Sequence, residues 1–246
     1  MSAQGPINME AAIASLYRET GVALPTLRRP IVPLSDLVYS LNLTCLEIPG
    51  LTRDAASRYL AQRGGILDED GGERQSPLAG FLYAVGEDAS IFVEEGDPVA
   101  RRRFSVAHEL GHYLLHFRPL LRRVSARIGA PVEALDAFPK LEDESEPDAQ
   151  PDGQIVLPLA YDEAATLPPL PQMEAEANQF AAELLMPADL VKALTARYGA
   201  YFGDDDLVWR LSNDLLVSRA AMRWRLRTLT AQGQLSGPDQ ERRGGG

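Results

Sequence analysis

The chain has 246 residues, of which 45% are hydrophobic and 24% are charged, and its formal net charge is −11. These fractions match ordinary soluble domains and exclude a fibrous or wholly disordered class. The single cysteine, Cys45, excludes an internal disulfide, and no run approaches the roughly eighteen apolar residues of a membrane helix. Because the N-terminus lacks the basic and apolar regions of a signal peptide, we expect a cytoplasmic protein without a membrane partner.

Hydrophobic periodicity and β-propensity predict an α+β fold with a helical N-terminal part. The spacing of apolar residues predicts helices over 7–20, 33–42 and 52–64. Residues of high β-propensity predict strands over 43–49, 80–85 and 89–95. The last two runs are separated by Gly-Glu-Asp, which favours a hairpin. A helix beginning near Asp97 or Pro98 should follow this hairpin.

The second half of the chain divides by composition. Residues 118–172 include the acidic run KLEDESEPDAQPDGQ and a proline-rich end, so we interpret them as an insertion or long loop. Further helices are predicted over 173–187, 188–198 and 204–232. The predicted organisation is a helical part (1–64), a core (65–198), a helical C-terminal region with helix-turn-helix rhythm (199–235) and a disordered tail (236–246).

All three histidines lie in the run FSVAHELGHYLLH, which begins at Phe104. His108 and His112 are four residues apart, so on a helix both side chains point the same way and can hold one metal ion. Zinc requires such neutral nitrogen ligands, a third protein ligand and a position for water, whose pKa it lowers to about 7. Glu109 lies between the histidines and is predicted to act as general base and then general acid. The spacing is typical of a zinc hydrolase.

The third histidine, His116, does not fit the same metal ion. Eight residues of helix separate it from His108 by a rise of about 12 Å. We therefore predict that His116 is not a ligand, and that it hydrogen-bonds locally and packs beside the site. Contact with substrate is the alternative.

The third ligand should be a carboxylate from the predicted helix 173–187. That helix offers Glu174, Glu176 and Glu183. Glu174 is preferred because Asn178 follows one turn later, where it can orient the second nitrogen of a metal-binding histidine. The alternative is a solvated acidic helix N-terminus, which the helix dipole stabilises.

Two motifs together resemble a known family. RRRFSVAHELGHYLLH followed by ExxANxFAAELLMP, with a hairpin before them and LLVSRAAMRWRLRTL after them, resembles the ImmA/IrrE metallopeptidases over 80–117 and 173–229. The resemblance implies a zincin-like core, a zinc site formed by His108, His112 and Glu174, and catalysis by Glu109. It further implies cleavage of a helix-turn-helix repressor, which switches on stress-response or mobile-element genes.

Several features of the site stay open at this stage. Manganese is an alternative to zinc, and the group that stabilises the transition state is a tyrosine such as Tyr113 or Tyr161, an arginine, or backbone amides. The predicted strand 89–95, as an edge strand, would align an extended substrate. Glu174 follows His112 by 62 residues (174 minus 112), longer than expected for the family. This spacing suggests that the acidic segment is a lineage-specific lid or docking element.

The C-terminal region offers a rival function. It carries Trp224 and four arginines in VSRAAMRWRLR: Arg219, Arg223, Arg225 and Arg227. Such a helix pair would suit a DNA reader, but the net acidity of the chain and the core-like spacing of Met222, Leu226 and Leu229 favour packing or repressor docking. A catalytically inert module stabilised by its metal is a third possibility.

Overall fold

The structure is a computed structural model that describes residues 7–62, 75–85, 88–128, 135–137, 167–199, 201 and 203–235. It confirms the α+β class. The described helices are α1 (Met9–Thr20), α2 (Leu34–Ser40), α3 (Arg53–Ala61), α4 (Val99–His112), α5 (Arg118–Ile128), α6 (Leu170–Leu185), α7 (Ala188–Tyr198), α8 (Asp204–Leu215) and α9 (Arg219–Ala231). The described strands are β1 (Thr44–Ile48), β2 (Gly80–Val85), β3 (Asp88–Glu94) and β4 (Leu135–Ala137).

Capping residues explain several helix ends. Asn8 and Thr52 cap α1 and α3, because each side chain accepts a hydrogen bond from a backbone amide three residues onward. Gly21 ends α1 with φ 67°, a left-handed conformation that glycine adopts without a steric penalty. These local signals explain why the predicted N-terminal helices are found close to their expected bounds.

The strands form one sheet in the order β1-β3-β2-β4. β2 and β3 are the predicted antiparallel hairpin, β1 lies parallel to β3, and β4 lies antiparallel to β2. The prediction that residues 89–95 form an edge strand is therefore wrong. β1 is connected to the hairpin by a crossover that includes α3, and β1 pairs with the edge of β3 opposite β2. The hairpin sequence alone does not reveal this long-range pairing.

Alternating side chains of the hairpin belong to two separate cores. Leu82 and Ala84 of β2 pack in the large core, which includes residues of α4 and α6. Phe81 and Tyr83 point to the other face and pack in a smaller core with residues of α3. The sheet is thus covered on both faces, and α4 lies between the sheet and α6. Over the residues that the structure describes, no helix is long and apolar enough to cross a membrane.

Two predicted boundaries need correction. Residues 118–128 are helical and 135–137 form a strand, so the irregular segment predicted over 118–172 is too long. The acidic run itself and the predicted tail lie outside the described residues. The predicted helix 204–232 is two helices, because Leu216 adopts φ 52° and Ser218 caps the start of α9. The predicted domain boundaries stay predictions.

Candidate metal centre

The centre is built where α4 and α6 approach each other closely. A Cβ atom at Gly111 would lie 3.1 Å from Cδ1 of Phe180 and 3.2 Å from Cα of Ala177. Both contacts are tighter than ordinary side-chain packing, so a larger residue would require Phe180 or the α6 backbone to shift by a few tenths of an ångström. The approach brings polar residues of α6 against the histidines of α4.

The structure brings the three predicted ligands together. Nε2 of His108 lies 3.0 Å from Nε2 of His112, and each nitrogen lies 3.2 Å from one oxygen of Glu174. These ligand atoms all lie within 4.8 Å of one another, and all three residues are buried. Two imidazole nitrogens and a carboxylate that converge in a buried space are a donor set that suits a divalent cation of the zinc type.

Asn178 contacts one of the two histidines. Its Oδ1 lies 3.0 Å from Nδ1 of His108, on the side of the ring opposite the cluster. An amide oxygen accepts from the Nδ1–H group, which leaves the lone pair of Nε2 directed at the cluster. The role of Asn178 in orienting a metal-binding histidine stays a prediction.

Glu109 is buried beside the cluster without a hydrogen-bond partner for either carboxylate oxygen among the described residues. Gly80, the first residue of β2, leaves the space it occupies: a Cβ there would lie 2.8 Å from Oε1 of Glu109. Burial raises the pKa of Glu109 to about 8. A buried carboxyl group with a raised pKa and free oxygens is suited to proton transfer.

Two of the three residues, His112 and Glu174, have the protonation states that a cation requires. For His108, burial would by itself lower the pKa, but the hydrogen bond to Glu174 and the nearby carboxylates outweigh burial and raise that pKa. Burial lowers the pKa of His112 to about 4, so its imidazole is neutral at physiological pH. Burial would by itself raise the pKa of Glu174, but hydrogen bonds with His108 and His112 outweigh it and lower that pKa to about 2. A neutral imidazole and an ionised carboxylate are the forms that bind metal.

His116 lies next to the cluster and not in it. Its Nε2 is 2.9 Å from Oε2 of Glu176, and its side chain is almost fully buried. His116 therefore contacts a carboxylate of α6, and its exclusion from the ligand set stays a prediction. The two neighbouring carboxylates of α6 have different partners: Glu174 faces His108 and His112, and Glu176 faces His116.

Of the two candidate tyrosines for transition-state stabilisation, one is among the described residues. Tyr113 is buried within the large hydrophobic core, and Tyr161 lies outside the described residues. Sequence reasoning missed Gly80 and the Glu176 contact. Both depend on pairings between distant segments that leave no local signal, apart from a glycine at the start of an apolar strand.

The C-terminal arginines have different surroundings. Arg225 is buried, and its Nε donates to the backbone oxygen of Met186 at the end of α6, 3.0 Å away. Arg223 is exposed and forms an ion pair of 3.1 Å with Asp205 of α8. Of the four arginines that would face DNA under the rival hypothesis, one therefore packs inside the protein and another is paired with an aspartate.

Comparisons with known proteins place the chain in a family. No curated protein matches the sequence. The sequence model of the IrrE N-terminal-like domain, peptidase family M78, matches residues 68–134 and 155–227, which together make up more than half of the chain. The matched ranges include both predicted motifs and leave out 135–154, where the acidic run lies. The chain therefore belongs to the IrrE N-terminal-like family of metallopeptidases.

Proposed function

We propose that His108, His112 and Glu174 hold one zinc ion, with manganese as the alternative, and that Glu109 is the catalytic acid and base. One observation carries this proposal: a buried carboxylate without a partner lies beside a buried His-His-Glu group. Burying an unpaired carboxyl group is costly, so a fold that retains one is expected to use it.

The proposed reaction is hydrolysis of a peptide bond in a protein substrate. A zinc ion in the site would polarise the scissile carbonyl and make the attacking water more acidic. Glu109 accepts a proton from that water at a carboxylate oxygen and then donates it to the nitrogen of the leaving amine. Asn178 keeps His108 in the tautomer whose Nε2 faces the metal, and Gly80 keeps the space beside Glu109 free of a side chain.

The substrate we propose is a specific intracellular protein, a helix-turn-helix transcriptional repressor whose cleavage releases stress-response or mobile-element genes. The family resemblance supports this substrate class, and the proposed setting is the cytoplasm. A small helix-turn-helix protein encoded in the neighbouring reading frame would be the first candidate substrate to test.

The test compares zinc-loaded wild-type protein with Glu109→Gln on such a repressor. The glutamine keeps the shape of the side chain but cannot accept the proton, so cleavage should fall on the order of 10²- to 10⁴-fold while bound zinc is unchanged. Cleavage products are resolved by mass spectrometry, and zinc content is measured on the same samples.

Binding of the repressor by both proteins, with cleavage only by the wild type, supports the peptidase. Equal cleavage by the two proteins would contradict the role of Glu109. Binding without cleavage by either zinc-loaded protein would favour the inert interaction module.

A further inference from the structure

The two metal-facing histidines are held in different ways. Asn178 accepts a hydrogen bond from Nδ1 of His108. Nδ1 of His112, in contrast, is buried and has no hydrogen-bond partner within the described part of the chain. Metal-binding histidines normally have their second nitrogen fixed by a hydrogen bond, so His112 needs another constraint. Its ring packs against the ring of His116, with 5.4 Å between the ring centroids.

His116 is itself fixed from α6. Nε2 of His116 lies 2.9 Å from Oε2 of Glu176, and Oε1 of Glu176 accepts a hydrogen bond from Nε2 of Gln172 at 2.8 Å. Both oxygens of Glu176 are therefore engaged, which restricts the side chain to one orientation. We call His116 and Glu176 the outer pair.

The backbone around His116 departs from regular helix. Residues Tyr113–Phe117 form a π turn, in which the amide of Arg118 donates to the oxygen of Tyr113, five residues earlier. In a regular α-helix, His116 would be displaced by about 40° around the axis from His112. Single π turns inside α-helices are rare, but those that occur are frequently found at functional sites. A π turn changes the direction in which a side chain leaves the helix. Here the redirected residue is the one that contacts Glu176.

We infer that the outer pair positions two of the metal ligands, His112 through ring packing and Glu174 through α6. Glu176 is two residues from Glu174, so anchoring Glu176 to the π turn sets the rotation of the helix end that carries Glu174. The inference rests on the proposed function, because it assumes that these ligands bind a metal ion. Neither member of the outer pair is a ligand; both act through residues that are.

The test measures zinc affinity by chelator competition and the visible absorption of the cobalt-loaded protein, which reports ligand geometry. Glu176→Ala should weaken zinc binding by up to roughly 10-fold, the lower end of the cost of losing a direct hydrogen-bond partner of a metal ligand, because Glu176 acts through His116, and it should alter the cobalt spectrum. Glu176→Gln should restore both within about threefold, since an amide can pair with either tautomer of a neutral imidazole. Circular dichroism confirms that each variant is folded.

Glu183→Ala is the matched control. Glu183 is on the same helix and accepts from Gln179 at 3.0 Å, in the same i,i+4 arrangement as Glu176 with Gln172, yet no histidine is paired with it. Zinc affinity in this control should equal that of the wild type. Equal affinities of the Glu176→Ala and Glu183→Ala variants would overturn the inference. So would a Glu176→Gln variant as weak as the alanine variant, because the effect would then belong to the negative charge.

A double-mutant cycle tests whether His116 and Glu176 act as a unit. If they do, His116→Ala and Glu176→Ala together should weaken zinc binding no more than the stronger single change. Effects that multiply would show independent residues and contradict the outer pair. A wild-type protein that binds neither zinc nor cobalt would refute the proposed function itself, which is a different result from any of these.

Discussion

Two pairs of helices in this protein are rich in polar side chains, and they differ in what those side chains face. Between α4 and α6, histidines and carboxylates are buried and turned toward one another, and Glu109 has no partner among the described residues. On α8 and α9, both tryptophans of the chain and Arg223 are exposed, and three aspartates occupy the first turn of α8.

The types of residue in a helix and the positions of their side chains can point to different functions. The arginines and the tryptophan of α9 suggest a DNA reader by composition, but burial of Arg225 and the aspartates of α8 give that surface a mixed charge. The histidines and glutamates of α4 and α6 are few, yet they converge in a buried space. Buried polar groups without local partners are the stronger sign of function.

The largest expected effect comes from removing the third ligand. Glu174→Ala leaves two imidazoles facing a dication without the compensating carboxylate, so zinc affinity should fall by more than the roughly 10- to 100-fold of an outer-partner loss. Competition with a chelator measures the affinity, and Glu183→Ala is the control. Full zinc occupancy of the Glu174 variant under mild chelation would show that the third ligand is a different residue.

A second prediction probes the C-terminal pair. Arg225→Met keeps the apolar stem but removes the hydrogen bond to Met186, and such charged hydrogen bonds contribute about 1.5–3 kcal/mol. The thermal midpoint should fall by about 3–12 °C, given about 2–4 °C per kcal/mol for a chain of this size. Arg223→Met removes only an exposed ion pair, worth about 0–1 kcal/mol. Equal thermal midpoints for the two variants would contradict the distinction between a packed Arg225 and a surface Arg223.

The third prediction concerns the stability of the metal-free protein. Burial raises the pKa of Glu109 to about 8, so its contribution to stability is fully present below the unfolded value near 4.5 and is lost as the pH rises through 8. Glu109→Gln does not titrate. After chelation, the thermal midpoint of the variant minus that of the wild type should rise by at least about 2–4 °C between pH 5 and pH 9. A difference that does not change with pH would contradict the buried, unpaired state of Glu109.

The smallest effect is expected from the acidic segment. The family match omits residues 135–154, so deleting residues 141–153 should leave the circular dichroism spectrum and zinc affinity unchanged. If the segment gates or docks substrate, as we propose, the rate of repressor cleavage or the choice of repressor should change. Unchanged kinetics on the natural substrate would reduce the segment to a passive linker.

Much of the centre could be predicted from the sequence because its signals are local. The i,i+4 spacing of His108 and His112 fixes their common face on any helix, and the same argument connects Glu174 with Asn178. The helix caps at Asn8 and Thr52 are local in the same sense.

What sequence reasoning missed depends on contacts between distant segments. The pairing of β1 with β3 turned a predicted edge strand into an inner strand. The contact of Gly80 with Glu109 and the bond between His116 and Glu176 join residues 29 and 60 positions apart, respectively (109 minus 80 and 176 minus 116). The π turn has no recognised sequence pattern here, because its residues are ordinary helix formers and core residues.

The proposed site binds one zinc ion through two histidines and a glutamate, and X-ray absorption spectroscopy of the zinc-loaded full chain reports these ligands. We expect one zinc per chain with two imidazole nitrogens at about 2.0–2.1 Å and oxygen ligands, including one water, at about 2.0–2.2 Å. The imidazole contribution should be halved in His112→Ala. Absence of stoichiometric zinc, a sulfur ligand from Cys45, or an unchanged spectrum in the His112 variant would contradict the account.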